Sequence, residues 1–372
     1  MSVSSPPLPP ATASAEDIPP VASRRARGAA GLLLGAVALV VMFVLAIAIG
    51  SVRIPVGEVV RALLGDEVTR EAWRTIVLDI RLPRTITAAL AGAALGVGGL
   101  QMQTLFRNPL ADPFILGISA GASLGVALVV LVTGAGGATL LSGLGVAGNV
   151  GVSLAAALGA ALVMLFVLAI ANEVRSVATL LIIGLMVGYA TSGVVSLLVH
   201  TGVGGTDRLR AFLTWSFGSF RGTTWSELRV LVPVLVVALL VAAAGAKPLN
   251  ALLLGEGYAA SMGVAVRRVR VLVIVTASVL AGVVTAFCGP IAFVGVAVPH
   301  LARSALRTSD HRVLIPACVL FGAVVALVAE LIAQVPGRET VLPLNAVTSM
   351  VGAPVVVVVL LRHRRASRAV VA

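Results

Sequence analysis

Residues 84–106, RTITAALAGAALGVGGLQMQTLF, form an apolar stretch in which Arg84 is the single charged residue. A helix rises about 1.5 Å per residue, so a stretch of this length crosses the roughly 30 Å hydrocarbon core of a bilayer. Glycine recurs at Gly92, Gly96 and Gly99, a spacing that lets two helix backbones approach closely where lipid supplies no hydrophobic drive. The stretch therefore predicts a membrane-spanning helix that packs tightly against its neighbours.

The rest of the chain has the same character. Apolar residues make up 59% of the 372 residues, charged residues only 11%, and the mean hydropathy is +1.09. A water-soluble fold could not bury this much apolar surface, so we predict an all-α polytopic membrane protein with about ten transmembrane helices. The spans are expected near residues 28–51, 84–106, 114–133, 147–172, 177–200, 228–246, 271–288, 290–303, 312–335 and 343–361.

Polar segments divide the chain. Residues 1–27, rich in Pro, Ala and Ser, are predicted to be a disordered cytoplasmic tail, 28–365 the transmembrane domain, and 366–372 a cytoplasmic C-terminal tail. Within the domain, 51–83 is predicted to be an external amphipathic segment and 250–270 a cytoplasmic region. Most of the 27 lysine and arginine residues fall on the side of the two termini, which places both termini in the cytoplasm. The net charge of +12 then belongs to loops and indicates no nucleic-acid partner.

Several kinds of chemistry are excluded. Lys247 is the only lysine and Pro248 follows it, so no phosphate-binding loop of an ATPase can form, and we expect no catalytic residues. Cys288 and Cys318 lie in apolar spans without nearby metal-ligating residues, so we expect no metal site. Glu330 is the one acidic residue well inside a span, and a helix-pairing role is favoured over a proton pathway.

Two clusters of glycine and proline interrupt the spans, one after residue 107 and one after residue 288. Irregular backbone at membrane depth is tolerated only where it is buried in protein or lines a cavity. Their positions suggest two related halves. The residues predicted to form broken helices along a translocation path are Asn108, Pro109, Pro113, Gly117, Ser119, Gly121, Gly289, Pro290, Pro299 and His300.

A polar stretch between spans, residues 254–267, could contact a partner. Glu256, Ala259, Ala260 and Gly263 place small residues on one face of a short helix, which would leave a shallow notch. The pattern alone is unspecific.

Taken together, these segments resemble the permease subunits of type II ABC importers, the FecCD/BtuC type that takes up ferric siderophores, vitamin B12 or haem. The likeness runs from about residue 30 to 365. The motifs that carry it are Arg81-Leu-Pro-Arg84, Arg107-Asn-Pro-Leu-Ala-Asp-Pro113, Gly117-Ile-Ser-Ala-Gly121, Trp215-Ser-Phe-Gly218, Asn250 to Glu256, Gly289-Pro-Ile-Ala-Phe-Val-Gly295, Pro299-His-Leu-Ala-Arg303, Asp310-His-Arg312 and Pro343 to Pro354.

The resemblance implies a ten-helix permease fold with an inverted repeat, paired with a second copy or a paralogue around a central path. It also implies two cytoplasmic ATPase subunits that bind ATP–Mg, with no cofactor in this chain, and an extracytoplasmic substrate-binding protein. Glu256, Ala260 and Gly263 match the family's ATPase-coupling helix. Arg81 and Arg84 match arginines that hold glutamates of the binding protein.

The chain departs from the family pattern in places. The family often has Asp and then Arg in the ninth span, where this chain has Glu330 and Gln334, so Arg338 is expected to replace the third docking arginine. Asn345 stands where glycine is common.

The predicted function is translocation of an iron–siderophore complex across the cytoplasmic membrane of a bacterium. A cobalamin or haem permease is the alternative. An ion-coupled secondary transporter and a scaffold or receptor without transport are alternatives from other classes.

Overall fold

The computed structural model describes residues 21–50, 52, 54–133, 149–174, 176–201, 205–334 and 341–369. Every regular element in these ranges is helical. The α-helices in chain order are α1 (Val21–Ala48), α2 (Val56–Leu64), α3 (Glu71–Thr75), α4 (Leu82–Leu105), α5 (Ile118–Ala127), α6 (Asn149–Glu173), α7 (Val177–His200), α8 (Gly205–Ser216), α9 (Trp225–Ala244), α10 (Ala246–Leu253), α11 (Glu256–Ser261), α12 (Val266–Cys288), α13 (Val294–Leu306), α14 (His311–Ala333) and α15 (Leu344–Ala369).

Each predicted span coincides with one of these helices, which confirms the all-α membrane fold. Among the described residues, seven helices are long and apolar enough to cross a membrane. Two shorter apolar helices, Ile118–Val132 and Leu344–Val357, and the short α13 correspond to the other predicted spans. The seven are Arg27–Ala48, Glu71–Leu105, Gly151–Ala171, Ala178–His200, Trp225–Ala244, Val266–Cys288 and His311–Ala333.

The helices extend beyond the predicted ends of the domain. α1 begins at Val21, inside the tail that was predicted to end at residue 27, because its arginines are good helix formers that continue the helix. α15 continues to Ala369, past the predicted start of the C-terminal tail at residue 366. Residues 1–20, the rest of the predicted N-terminal tail, lie outside the described residues.

The second span begins earlier than predicted. α3, a π-helical turn (Ile76–Arg81) and α4 form one continuous helix that starts at Glu71. Pro83 accounts for the π turn, since proline has no N–H to donate and its ring crowds the carbonyl one turn earlier. The arginines at 81 and 84 therefore lie within a helix.

The predicted amphipathic segment is two short helices, α2 and α3, joined by a turn. Glu58 of α2 holds this turn, because its carboxylate accepts the Thr69 amide at 2.8 Å and the Thr69 hydroxyl at 2.9 Å. The same bonds, with help from Arg61, hold the pKa of Glu58 below its ordinary value. α2 buries Val59 and Ala62 against the ends of the neighbouring spans.

α4 is the most enclosed span and packs against α12, α13 and α14. It touches α14 backbone to backbone: a Cβ at Gly92 would overlap the Gly322 carbonyl oxygen, and a Cβ at Gly322 would overlap that of Gly92. Gly99 lies equally close to the Gly295 backbone of α13. The glycine spacing seen in the sequence is therefore used for backbone contact.

A buried ion pair joins the same two helices. Arg84 Nε lies 3.0 Å from Glu330 Oε1, although its N–H is not aimed at that oxygen. Gln334 Nε2 donates to the same carboxylate oxygen at 3.2 Å. Arg84 is 7% and Glu330 4% exposed, so both charges are removed from solvent. The helix-pairing interpretation of Glu330 agrees with this geometry.

We expect Glu330→Gln to destabilise the chain by about 3–5 kcal/mol, because the Arg84 guanidinium would stay buried without its counter-charge. Thermal unfolding of the detergent-solubilised protein measures the loss. Removing both charges, with Arg84→Met and Glu330→Leu together, is expected to recover most of it. The exposed carboxyl of Glu67 provides the control Glu67→Gln. A Glu330→Gln variant as stable as the control would contradict the assignment.

Candidate functional site

Two glycines shape the predicted coupling region. Gly255 and Gly263 have φ of 113° and 82°, in the left-handed region that glycine adopts without a steric penalty. They lie on either side of α11 and separate it from α10 and α12 by two backbone turns. We call residues 254–265 the coupling segment. It contains a short helix placed between the eight-residue α10 and the long α12.

Glu256, at the start of α11, has its partner within the chain. Arg270 Nη2 of α12 donates to both carboxylate oxygens of Glu256, at 2.8 and 3.0 Å. Arg270 Nη1 also donates to the Val174 carbonyl at 3.3 Å. Charge-assisted hydrogen bonds of this kind are among the stronger ones in proteins. Glu256 therefore braces the coupling segment against α12 and the end of α6.

The exposed side of the coupling segment is apolar. Ala260 and Gly263, the other predicted coupling residues, are exposed, and a Cβ at Gly263 would meet nothing within 4 Å. Larger apolar side chains surround them: Leu254, Tyr258 and Met262 are 62%, 57% and 49% exposed. Sequence reasoning missed these three, although their spacing of four residues was a usable signal.

The first predicted break is an irregular loop between α4 and α5. Asn108 Oδ1 accepts the Leu110 amide at 2.9 Å, and Asp112 Oδ1 accepts the Phe114 amide at 2.8 Å, ahead of a 3₁₀ turn (Pro113–Leu116). Burial raises the pKa of Asp112 to about 6, although the bond from the Phe114 amide opposes the shift. Side chains thus supply the hydrogen bonds that a helix would otherwise provide.

The break ends at Gly117, whose φ is 79°. A Cβ there would lie 3.0 Å from Gly188 Cα of α7, so only glycine allows the two backbones to approach this closely. Beside this contact, α5 and α7 line a cavity of about 420 Å³ that is open to the surface of the chain. Its lining residues are Phe114, Ile115, Gly117, Ser119, Ala120, Ser123, Leu185, Gly188, Tyr189, Ser192, Val195, Ser196 and Phe212.

The polar groups of this cavity are hydroxyls. Ser119 and Ser123 come from α5, and Tyr189, Ser192 and Ser196 come from α7; none of the described residues that line it is charged. Sequence reasoning found the α5 side but missed the α7 side. The signal was present, because Gly188, Ser192 and Ser196 repeat every four residues and so share one face of a helix.

The second predicted break lies between α12 and α13. Gly289 and Phe293 have φ of 72° and 68°, so α13 begins at Val294 and not near residue 290 as predicted. Asn345 secures the break: its Oδ1 accepts the Ala292 amide at 3.1 Å. The side chain that departs from the family pattern thus supplies a hydrogen bond that glycine could not.

The structure brings only part of the predicted path together. Gly117 and Ser119 line the cavity, whereas Gly121 packs on Gly159 of α6 and His300 Nδ1 contacts the Val296 carbonyl within α13. Helix packing fixes which face of each helix looks into the cavity, and the path role of the other residues stays a prediction. The predicted path residues that do not line it are Asn108, Pro109, Pro113, Gly121, Gly289, Pro290, Pro299 and His300.

The two predicted docking arginines lie inside the helical bundle. Arg81 is 4% exposed and donates to the carbonyls of Ile47, at 2.6 Å, and of Ala48, at 2.8 Å, at the end of α1. Arg84 is buried in its ion pair with α14. Neither guanidinium is exposed in this arrangement of the chain, and the docking role of the two arginines stays a prediction. Arg338, the third candidate, lies outside the described residues.

A second cavity, of about 620 Å³, lies among α5, α6, α8, α9 and α12. Asp207 and Arg210 of α8 and Glu227 of α9 contribute charges to its wall. It therefore differs in chemistry from the hydroxyl-lined cavity, and none of the predicted path residues lines it.

Comparison with known proteins identifies the chain. The model of the FecCD transport family matches residues 38–362. YvrB of Bacillus subtilis, an uncharacterized ABC transporter permease protein, is 33% identical over 91% of this chain and 95% of its own length. The vitamin B12 import system permease protein BtuC of Klebsiella pneumoniae is 35% identical over 88% of this chain and 92% of its own.

A solved structure agrees with these sequence matches. It is described as an inward-facing conformation of a metal-chelate type ABC transporter. It superposes with a TM-score of 0.77 at 26% identity and covers 89% of this chain and 98% of its own. Taken with the helical bundle and its two breaks, these matches show that the chain belongs to the FecCD transport family, as a multi-pass permease subunit of an ABC importer whose ATPase lies in separate subunits.

Proposed function

We propose that this chain carries an iron–siderophore complex across the cytoplasmic membrane of a bacterium. The likeness to a metal-chelate type transporter supports a chelated metal as cargo, a class that includes iron–siderophore complexes and the cobalt chelate cobalamin. Cobalamin is the second candidate, because several relatives of 34–35% identity are vitamin B12 permeases.

The observation that carries the proposal is the uncharged, hydroxyl-lined cavity between α5 and α7. Hydroxyl groups offer weak, adaptable hydrogen bonds, and a path must release its cargo as readily as it admits it. A neutral wall of this kind suits a bulky chelate that is selected elsewhere, by an extracytoplasmic substrate-binding protein.

One chain supplies one wall of the path. α7 is the least enclosed of the long spans, since only 6% of its most apolar 18-residue stretch is buried within the chain. Its side chains Ile182, Tyr189 and Leu197 are exposed. A second permease copy or a paralogue packed against α7 would cover this face and close the path. Apolar side chains beside small residues are typical of helix–helix contacts in membranes.

The coupling segment is the proposed contact for the ATPase subunits. Its exposed Leu254, Tyr258 and Met262 offer an apolar surface, and the Glu256–Arg270 pair gives it a rigid base. Two cytoplasmic ATPases, one for each permease copy, would bind ATP–Mg and press on this surface. Both termini then lie in the cytoplasm, on the same side as the coupling segment.

Proteoliposomes that contain the chain, its ATPase and its binding protein test the proposal. We expect uptake of radioiron-labelled ferrioxamine B with Mg–ATP and none with a non-hydrolysable ATP analogue. Radiocobalt-labelled cyanocobalamin is measured in parallel. Uptake of cobalamin alone would establish the second candidate, and uptake that persists without ATP would contradict the importer mechanism.

Tyr258→Arg is expected to lower ATPase binding about tenfold or more, because a charge would replace a large apolar group at the centre of the contact. Co-purification of the ATPase with the permease measures binding. Leu64→Arg makes the same change at a residue 73% exposed on α2, at the predicted external end, and is expected to leave binding intact. Equal binding by both variants would rule out this surface.

A further inference from the structure

A polar network joins α10, which leads into the coupling segment, to the transmembrane core, and it is buried at His311 and Thr104. Asn250 of α10, three residues before Leu253, is its centre. Its Nδ2 donates to Asp310 Oδ1 at 2.6 Å, and its Oδ1 accepts the His311 backbone N–H at 2.8 Å. The same Oδ1 lies 2.7 Å from His311 Nδ1. One amide thus holds the first turn of α14 at three points.

The imidazole extends the network to α4. Because Asn250 Oδ1 can only accept, His311 Nδ1 carries the hydrogen of that bond. His311 Nε2 then lies 2.8 Å from the Thr104 hydroxyl, which is itself 2.8 Å from the Leu100 carbonyl. His311 is 1% and Thr104 2% exposed, so this connection is shielded from water.

Neighbouring groups keep the network in place. Asp310 also accepts the Arg312 amide at 2.9 Å and so caps α14. Burial alone would raise the pKa of Asp310, but the bonds from Arg312 and Asn250 outweigh it and hold the pKa below its ordinary value. Asp310 is therefore ionised at neutral pH and remains an acceptor for the amide of Asn250.

A second contact runs in parallel. Arg107, just after α4, donates from Nη2 to the Leu253 carbonyl at 3.3 Å. The coupling segment is thus tied to α12 through Glu256, and Arg107 ties the end of α10, the residue before the segment, to the end of α4. Asn250 ties α10 to α14 directly and to α4 through His311. The end of α4 leads directly into the first break and the cavity wall.

We propose that Asn250, His311 and Thr104 are positioning residues that transmit displacement of the coupling segment to α4 and α14, and so to the cavity wall. This inference rests on the proposed function of the coupling segment. Hydrogen bonds suit the task because their geometry is directional, and a buried group that loses its partner carries a penalty. The junction therefore moves as one unit, whereas apolar contacts alone would allow α10 to slide.

The primary test compares ATP hydrolysis with uptake in the reconstituted complex. For Asn250→Ala we expect about tenfold more ATP hydrolysed per radioiron-labelled ferrioxamine B transported, with hydrolysis itself changed less than about twofold. Lys247→Ala, an exposed change on the same helix, is expected to keep the wild-type ratio. If Asn250→Ala lowers hydrolysis and uptake in proportion, its role is structural and the proposal is overturned.

Thr104 provides a second variant pair. Thr104→Val removes the hydroxyl but keeps the side-chain shape. Like Asn250→Ala, it is expected to raise the amount of ATP hydrolysed per ferrioxamine B transported. Thr104→Ser restores the hydroxyl and is expected to restore coupling. Equal ratios for the valine and serine variants would overturn the proposal. A wild-type complex that shows no ATP-driven uptake would instead refute the proposed function.

A reporter independent of cargo completes the test. Cys288 and Cys318 are buried, so Ser192→Cys introduces one accessible thiol in the cavity. We expect its maleimide labelling rate to change at least about fivefold when the ATPase is trapped with Mg–ADP–vanadate, and this change to be lost with Asn250→Ala. A change that persists in the Asn250→Ala background would contradict the transmission role.

Discussion

The rest of the structure depends on the backbone contact between Gly92 of α4 and Gly322 of α14. Lipid is as apolar as leucine, so helices in a bilayer gain little from burying apolar surface and must gain from close packing and polar contacts. The two glycines remove the side chains that would hold the helices apart. Polar pairs then join the helices at both ends, through Arg84 and Glu330 at one and Thr104 and His311 at the other.

This arrangement places α4 between the two functional regions of the chain. Its last turn contacts α14, and Arg107, just after it, donates to the carbonyl of Leu253, the residue before the coupling segment. The loop that follows it ends at Gly117, on the cavity wall. A shift of α4 would therefore move both α14 and the loop that leads to the cavity wall.

The sequence predicted the spans well because apolar length is a local property, and each predicted span coincides with a helix. It also located both breaks, since Gly117 and Gly289 need φ values that other residues avoid. It could not show which side chains would be buried. Arg81 looks like a surface arginine until α1 places its terminal carbonyls beside it, and Glu256 pairs with Arg270 fourteen positions away. Such contacts depend on how helices assemble.

Lys247, the only lysine, lies exposed on α10, three residues before Asn250. The rest of the 27 lysine and arginine residues are arginines, whose guanidinium groups do not react with amine-directed reagents. Primary-amine chemistry is consequently confined to this junction and to the chain's amino terminus. An acylating crosslinker that captures an ATPase subunit through the Lys247 amine would report contact at this one site. Acetylation of the same amine would remove a positive charge beside the network.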